Sequence, residues 1–135
     1  MPQSIHIIYI HFVFATKFRT PVILPDAEPY LYAVLKEEYG KKNCIVIEIN
    51  GMPDHVHMLV KCPPTVSISE IMQQVKGGSA FRCNRDQLIK PKLIWQDGYF
   101  VRSVSEGHVR RIADYIRNQK EHHSKSSIVS SQEWI

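Results

Sequence analysis

Ile45-Val46-Ile47-Glu48-Ile49-Asn50-Gly51-Met52-Pro53-Asp54-His55-Val56-His57-Met58-Leu59-Val60 is the stretch that decides how this chain folds. Ile45 to Asn50 is rich in β-branched residues, Gly51 to Asp54 is turn chemistry, and an apolar run follows. The stretch therefore reads as an antiparallel hairpin. Successive strand side chains point to opposite faces, so His55 and His57 share one face while Val56, Met58 and Val60 take the other. Two imidazoles placed this way can grip a divalent cation, or can be two half-buried histidines with no ligand; the spacing alone supports both equally. A metal site needs more: a third protein ligand, open positions, and partners for the ring nitrogens such as Glu48 or Asp54.

Working outward, Pro63-Pro64 closes the hairpin. Upstream, Ser4 to Phe14 reads as a long central strand, apolar on both faces apart from His6 and His11. Ala15 to Pro21 is a basic loop with one aromatic, suited to touching phosphates and stacking a base, or simply to connecting elements. Asp26 is the expected N-cap of a first helix in which Leu31, Val34, Leu35 and Glu38 share a face, ending at Gly40. Downstream, Ser67-Ile68-Ser69-Glu70 has the capping-box pattern and opens a second helix through Ile68, Ile71, Met72 and Val75. Lys76-Gly77-Gly78-Ser79 should interrupt it. Two glycines cost about 1 kcal/mol each in a helix interior, so they bend the element or admit close approach, by a phosphate backbone or a packed neighbour. Lys90 to Asp97 is a loop carrying Trp95, and Tyr99 to Val104 is a strand. Ser105 or Glu106 opens the last helix, where Val109, Ile112, Ala113 and Ile116 form an apolar stripe flanked by Tyr115, Gln119 and His122.

The element order is strand, helix, strand, strand, helix, strand, helix. It predicts an α+β chain with a ferredoxin-like (RRM-like) antiparallel sheet and helices on one face. The length, 135 residues, suits one domain, expected over 1–123, with a mobile Ser-rich tail over 124–135. Lys and Arg outnumber Asp and Glu by 17 to 13, a basic excess that permits a polyanionic partner without requiring one. Cys44, Cys62 and Cys83 are odd in number and widely spaced, which fits reduced thiols in a cytoplasmic protein. No signal peptide or membrane span is expected.

The first strand running into HFVFATKFRTPVIL, the MPDHVHMLV hairpin, the WQDGYFVRSVS strand and the IADYIRNQKEHH helix together resemble the single-tyrosine HUH transposases of bacterial insertion sequences. The resemblance runs from about Ile5 to His123, and the REP-associated tyrosine transposases share the same parts. It implies that His55, His57 and Gln119 hold Mg²⁺ or Mn²⁺ and that Tyr115, on the C-terminal helix, is the nucleophile. At i and i+4, Tyr115 and Gln119 would lie about 6 Å apart on one helix surface. Attack on single-stranded DNA would leave a 5′-phosphotyrosine and a free 3′-hydroxyl, with rejoining by the reverse attack and no ATP or organic cofactor. The resemblance further implies folded hairpin substrates and a homodimer built by sheet-edge pairing. Lys17, Arg19, Lys76, Arg82 and Arg85 are the expected phosphate contacts. The Lys76 to Ser79 segment, with Cys83, departs from the more basic sequence of relatives, which implies altered DNA binding there.

Two other readings stay open on these residues. A non-catalytic, domesticated module would bind nucleic acid on the same sheet without cleavage. An unrelated metal hydrolase would turn over without Tyr115.

Overall fold

The hairpin forms, and tighter than expected. In the computed structural model, which describes residues 3–121, strands β2 (Ile45–Met52) and β3 (His55–Lys61) are joined by Pro53 and Asp54 alone, with Met52 opposite His55. Gly51 permits the closeness of this pairing, since a Cβ there would lie 2.8 Å from Val56 Cα. The remaining elements are β1 (Tyr9–Ala15), α1 (Glu28–Gly40), α2 (Ile68–Arg85), β4 (Phe100–Val104) and α3 (Val109–Arg117). Single 3-10 turns occupy Lys17–Arg19 and Glu106–His108.

The strands lie in the order β2-β3-β1-β4, every neighbouring pair antiparallel. Each β-α-β unit thus has a strand of the other inserted between its own two, which is the ferredoxin-like arrangement expected from the element order. The central strands β1 and β3 send Phe12, Phe14, Val56, Met58 and Val60 to one face. There they meet Leu31, Leu35 and Tyr39 of α1 and Ile71, Met72 and Val75 of α2. Full burial of side chains this size contributes about 1.5–3 kcal/mol each, so this layer holds the fold together. The opposite face is covered by α3, whose Ala113 and Ile116 pack on Leu59. Alternation puts His11, His55 and His57 on that same face.

Several boundaries differ from expectation. β1 begins at Tyr9, not Ser4, because β3 stops at Lys61 before the two prolines; beyond it the Cys62 amide makes one more bond, to the Ile8 carbonyl. Asp26 does not cap α1, whose start has no side-chain cap and carries Pro29 in its first turn. Ser67 does cap α2, accepting from the Glu70 amide at 3.2 Å. α2 then runs unbroken through Gly77 and Gly78. The reason is contact: a Cβ on Gly78 would lie 2.6 Å from Glu38 Cδ, so the glycine lets the buried Glu38 carboxylate of α1 come against α2. α3 starts at Val109, and a turn at Asn118 separates it from the helical Gln119 to Glu121.

Cys44, Cys62 and Cys83 are buried free thiols. Among the described residues no helix is long and apolar enough to cross a membrane. The expected mobile tail and the His122 flank position lie outside the described residues.

Candidate active site

β3 buries His55 and His57, each 1% exposed, beneath α3. Their Nδ1 atoms are both occupied. His55 Nδ1 lies 2.8 Å from Asp54 Oδ1, and His57 Nδ1 lies 3.0 Å from Nε2 of His11, which β1 presents on the same face. Asp54 Oδ2 also accepts from Arg19 Nε at 3.0 Å. Arg19 Nη2 comes within 3.4 Å of His55 Nδ1. With the His55 proton on Nδ1, two donors would face each other there, so Asp54 is the partner both groups use. Burial pushes the Asp54 carboxyl up, but the bonds from His55 and Arg19 outweigh it and hold the pKa at about 2. Asp54 is therefore an anion at neutral pH, fit to keep the His55 proton on Nδ1. Burial, helped by the charge of Arg102, lowers His11 to about 4, so His11 is neutral at pH 7.

α3 brings the other two side chains. The Tyr115 ring stands edge-on to His57 and His11, with centroids 6.0 and 6.5 Å away. Gln119 is 1% exposed. The turn at Asn118 does not separate it from Tyr115, because the Asn118 amide still bonds the Asp114 carbonyl at 3.1 Å, one helical turn back. The helix end is clamped to the hairpin. Asn50 Nδ2 donates to the Arg117 carbonyl at 2.8 Å, Lys120 Nζ donates to Asn50 Oδ1 and the Gly51 carbonyl at 2.9 Å each, and Asn50 pairs with His57 across the sheet. Arg117 adds an ion pair with Glu48 at 2.9 Å, so Glu48 anchors the helix and Asp54 is the carboxylate that holds a histidine.

Among the described residues, the buried side-chain heteroatoms with no hydrogen-bond partner are His55 Nε2, His57 Nε2, and Nε2 and Oε1 of Gln119. Leaving a buried amide unsatisfied costs roughly 1–3 kcal/mol per group, which a bound ligand would remove. Gln119 Oε1, buried and without a hydrogen-bond partner, is the third candidate donor to go with the two imidazoles. This donor set is neutral. It fits a divalent cation that must keep its charge for an anionic substrate, and the mixed nitrogen and oxygen donors suit Mn²⁺ as well as Mg²⁺.

The expected phosphate contacts fall in different places. Arg82 binds Glu37 at 2.7 Å and Glu38 at 2.9 Å, joining α2 to α1 on the far side of the sheet from the histidines. Arg85 pairs with Asp86 and lies over the exposed Phe81 ring. Lys76 Nζ ties α2 to the carbonyls of Gln96 and Gly98, at 2.7 Å each. Arg19 braces Asp54, and Lys17 is exposed beside the Phe18 ring. Sequence reasoning missed two features. One is His11, whose only signal was a polar residue in an apolar strand. The other is a cleft of about 470 Å³ between β4 and the start of α3, lined by Arg102, His108 and Arg111 beside Val104 and Ile112.

A family model described as "Transposase IS200 like" matches residues 4–119. The transposase for insertion sequence element IS200 of Salmonella typhimurium is 31% identical over 116 residues, covering 82% of this chain and 76% of that protein. The ISDra2 transposase TnpA of Deinococcus radiodurans is 30% identical over 114 residues, covering 81% of each chain. A crystal structure from Deinococcus radiodurans R1, described as that of a transposase, superposes with a TM-score of 0.66 at 25% identity, covering 88% of this chain and 98% of the other. A REP-associated tyrosine transposase bound to a REP hairpin shares the fold, with a TM-score of 0.68 at 16% identity, covering 97% of this chain and 77% of its own.

Proposed function

The chain belongs to the IS200-like transposase family, and on that premise we propose that it cuts and rejoins single-stranded DNA at hairpin-containing element ends through a covalent 5′-phosphotyrosine on Tyr115. His55, His57 and Gln119 hold Mg²⁺ or Mn²⁺ in this reading. When bound, the cation polarises the scissile phosphate and offsets the charge that develops on it. What supports the reading is His55 and His57 buried side by side on one strand, Tyr115 set against His57, and Gln119 one helical turn further on with a buried amide that has no hydrogen-bond partner.

The Tyr115 oxygen attacks the scissile phosphorus, its proton passes to solvent, and the bond to the 3′ oxygen breaks, leaving a 3′-hydroxyl once that oxygen is protonated. The phosphodiester bond energy is kept in the tyrosine ester, so the reverse attack by a 3′-hydroxyl reseals the strand without ATP. Tyr115 is oriented by the two imidazoles it stands against, and Gln119 moves with it as part of the same helix end. The same reading takes the protein as a homodimer, for which the edge strands β2 and β4 offer unpaired backbone, as sheet edges do.

Labelled single-stranded hairpin DNA from the flanks of the gene, incubated with Mn²⁺ and run on a denaturing gel, tests the proposal. A covalent protein–DNA band that needs the metal and is absent in Tyr115→Phe is the expected result. Cleavage without the band would instead make the protein a hydrolase, and binding without any cleavage would make it a non-catalytic module.

A further inference from the structure

A histidine that binds a cation through Nε2 must carry its own proton on Nδ1, and something must accept that proton. For His55 the acceptor is the Asp54 carboxylate. At His57 the group facing Nδ1 is another imidazole, with Nε2 of His11 at 3.0 Å and both rings buried. Between two imidazole nitrogens only one carries the proton. If His11 Nε2 donated, the His57 proton would sit on Nε2 and close that atom to a cation.

We propose that His11 is a positioning residue for the reaction, its Nε2 accepting the Nδ1 proton of His57 so that His57 Nε2 is open to the divalent cation. The inference rests on the metal reading above and deepens it. Geometry beyond this one bond supports it. The His11 and His57 ring centroids are 5.2 Å apart and tilted by 32°, and Phe100 of β4 stands edge-on to His11 at 6.3 Å, so the acceptor ring is held from a second side. The Tyr115 ring stands against both histidines, so His11 also forms part of the seat of the nucleophile. In this arrangement His11 acts through His57.

Nitrogen-15 NMR of the metal-free protein, with labelled histidine, reads the tautomer directly without any variant. His57 is expected to be protonated on Nδ1 and bare on Nε2. Calorimetric titration with Mn²⁺ then compares wild type with His11→Leu and with His11→Gln, whose amide oxygen can still accept. His11→Leu should bind about 10–100-fold more weakly, the usual cost of losing an outer partner of a ligand histidine, and His11→Gln should recover most of that. Protonation of His57 on Nε2 in wild type overturns the inference. So does a folded His11→Leu that binds Mn²⁺ as tightly as wild type. Wild type that takes up no Mn²⁺ while showing the expected tautomer overturns the metal reading, and this inference with it.

Discussion

Gly77 and Gly78 are adjacent in α2, yet alanine should affect them in opposite directions. Replacing a glycine inside a helix with alanine gains roughly 1 kcal/mol from the more restricted unfolded chain. At Gly77 nothing lies within 4 Å of the new methyl, so Gly77→Ala should keep that gain. At Gly78 the methyl would sit 2.6 Å from Glu38 Cδ. Glu38 cannot simply swing aside, since its carboxylate accepts from Gln74 at 2.7 Å, Lys41 at 2.8 Å and Arg82 at 2.9 Å. Losing one charge-assisted bond costs about 1.5–3 kcal/mol, and overpacking costs on the order of 1–3 kcal/mol. Set against the helix gain, Gly78→Ala should destabilise by about 2 kcal/mol. The two variants would then differ by roughly 3 kcal/mol, or about 10 °C in Tm for a chain of this size. Urea unfolding followed by circular dichroism measures both. If the two alanines shift stability in the same direction by similar amounts, the contact between Glu38 and Gly78 does not constrain the α1–α2 interface and the reasoning is wrong.

Three further outcomes are expected. The Asp54 pKa of about 2 is depressed from the ordinary 3.8, so its contribution, about 2 kcal/mol, is present above that ordinary value and is lost as pH falls through 2. The stability advantage of wild type over Asp54→Asn in urea titrations should therefore shrink from pH 5 to pH 2; an advantage that stays constant would contradict the pairing with His55 and Arg19. Arg102→Ala and Arg111→Ala should each weaken single-stranded DNA binding and lower its salt slope by about 1, while Arg82→Ala should cost stability and leave that slope unchanged, as fluorescence anisotropy at several salt concentrations would show. Mn²⁺ at about 100 times its Kd should raise stability by roughly 2.7 kcal/mol, an effect that EDTA reverses and His55→Ala abolishes in thermal melts. An equal metal shift in that variant would place the cation elsewhere.

The hairpin was legible because two signals agreed: a β-branched run before the turn residues with an apolar run after them, and a two-residue spacing that fixes which face each histidine takes. The capping box at Ser67 was equally local, and the structure keeps it. What could not be read depended on partners distant in sequence. Gly77 and Gly78 look like a helix break until Glu38, forty residues upstream of Gly78, is found against Gly78. Arg82 looks like a phosphate ligand until Glu37 and Glu38 are seen to hold it. In the sequence His11 is only an interruption of an apolar strand. Its use appears once the register sets Val13 opposite His57, and a diagonal neighbour on the same face becomes the partner of that ring. Asn118 gave no warning either, because the helical spacing of Tyr115 and Gln119 survives the turn between them.

α3 meets the sheet through a small apolar seam at Leu59, Ala113 and Ile116, and through polar ties at its end, Arg117 to Glu48 and Lys120 to Asn50 and Gly51. In the proposed chemistry α3 and the helical turn that follows it carry both the attacking oxygen and one of the three donors. If that segment lifts, the two leave together. In that reading the fold has a safety catch, because the donor and the attacking oxygen are withdrawn by one and the same movement.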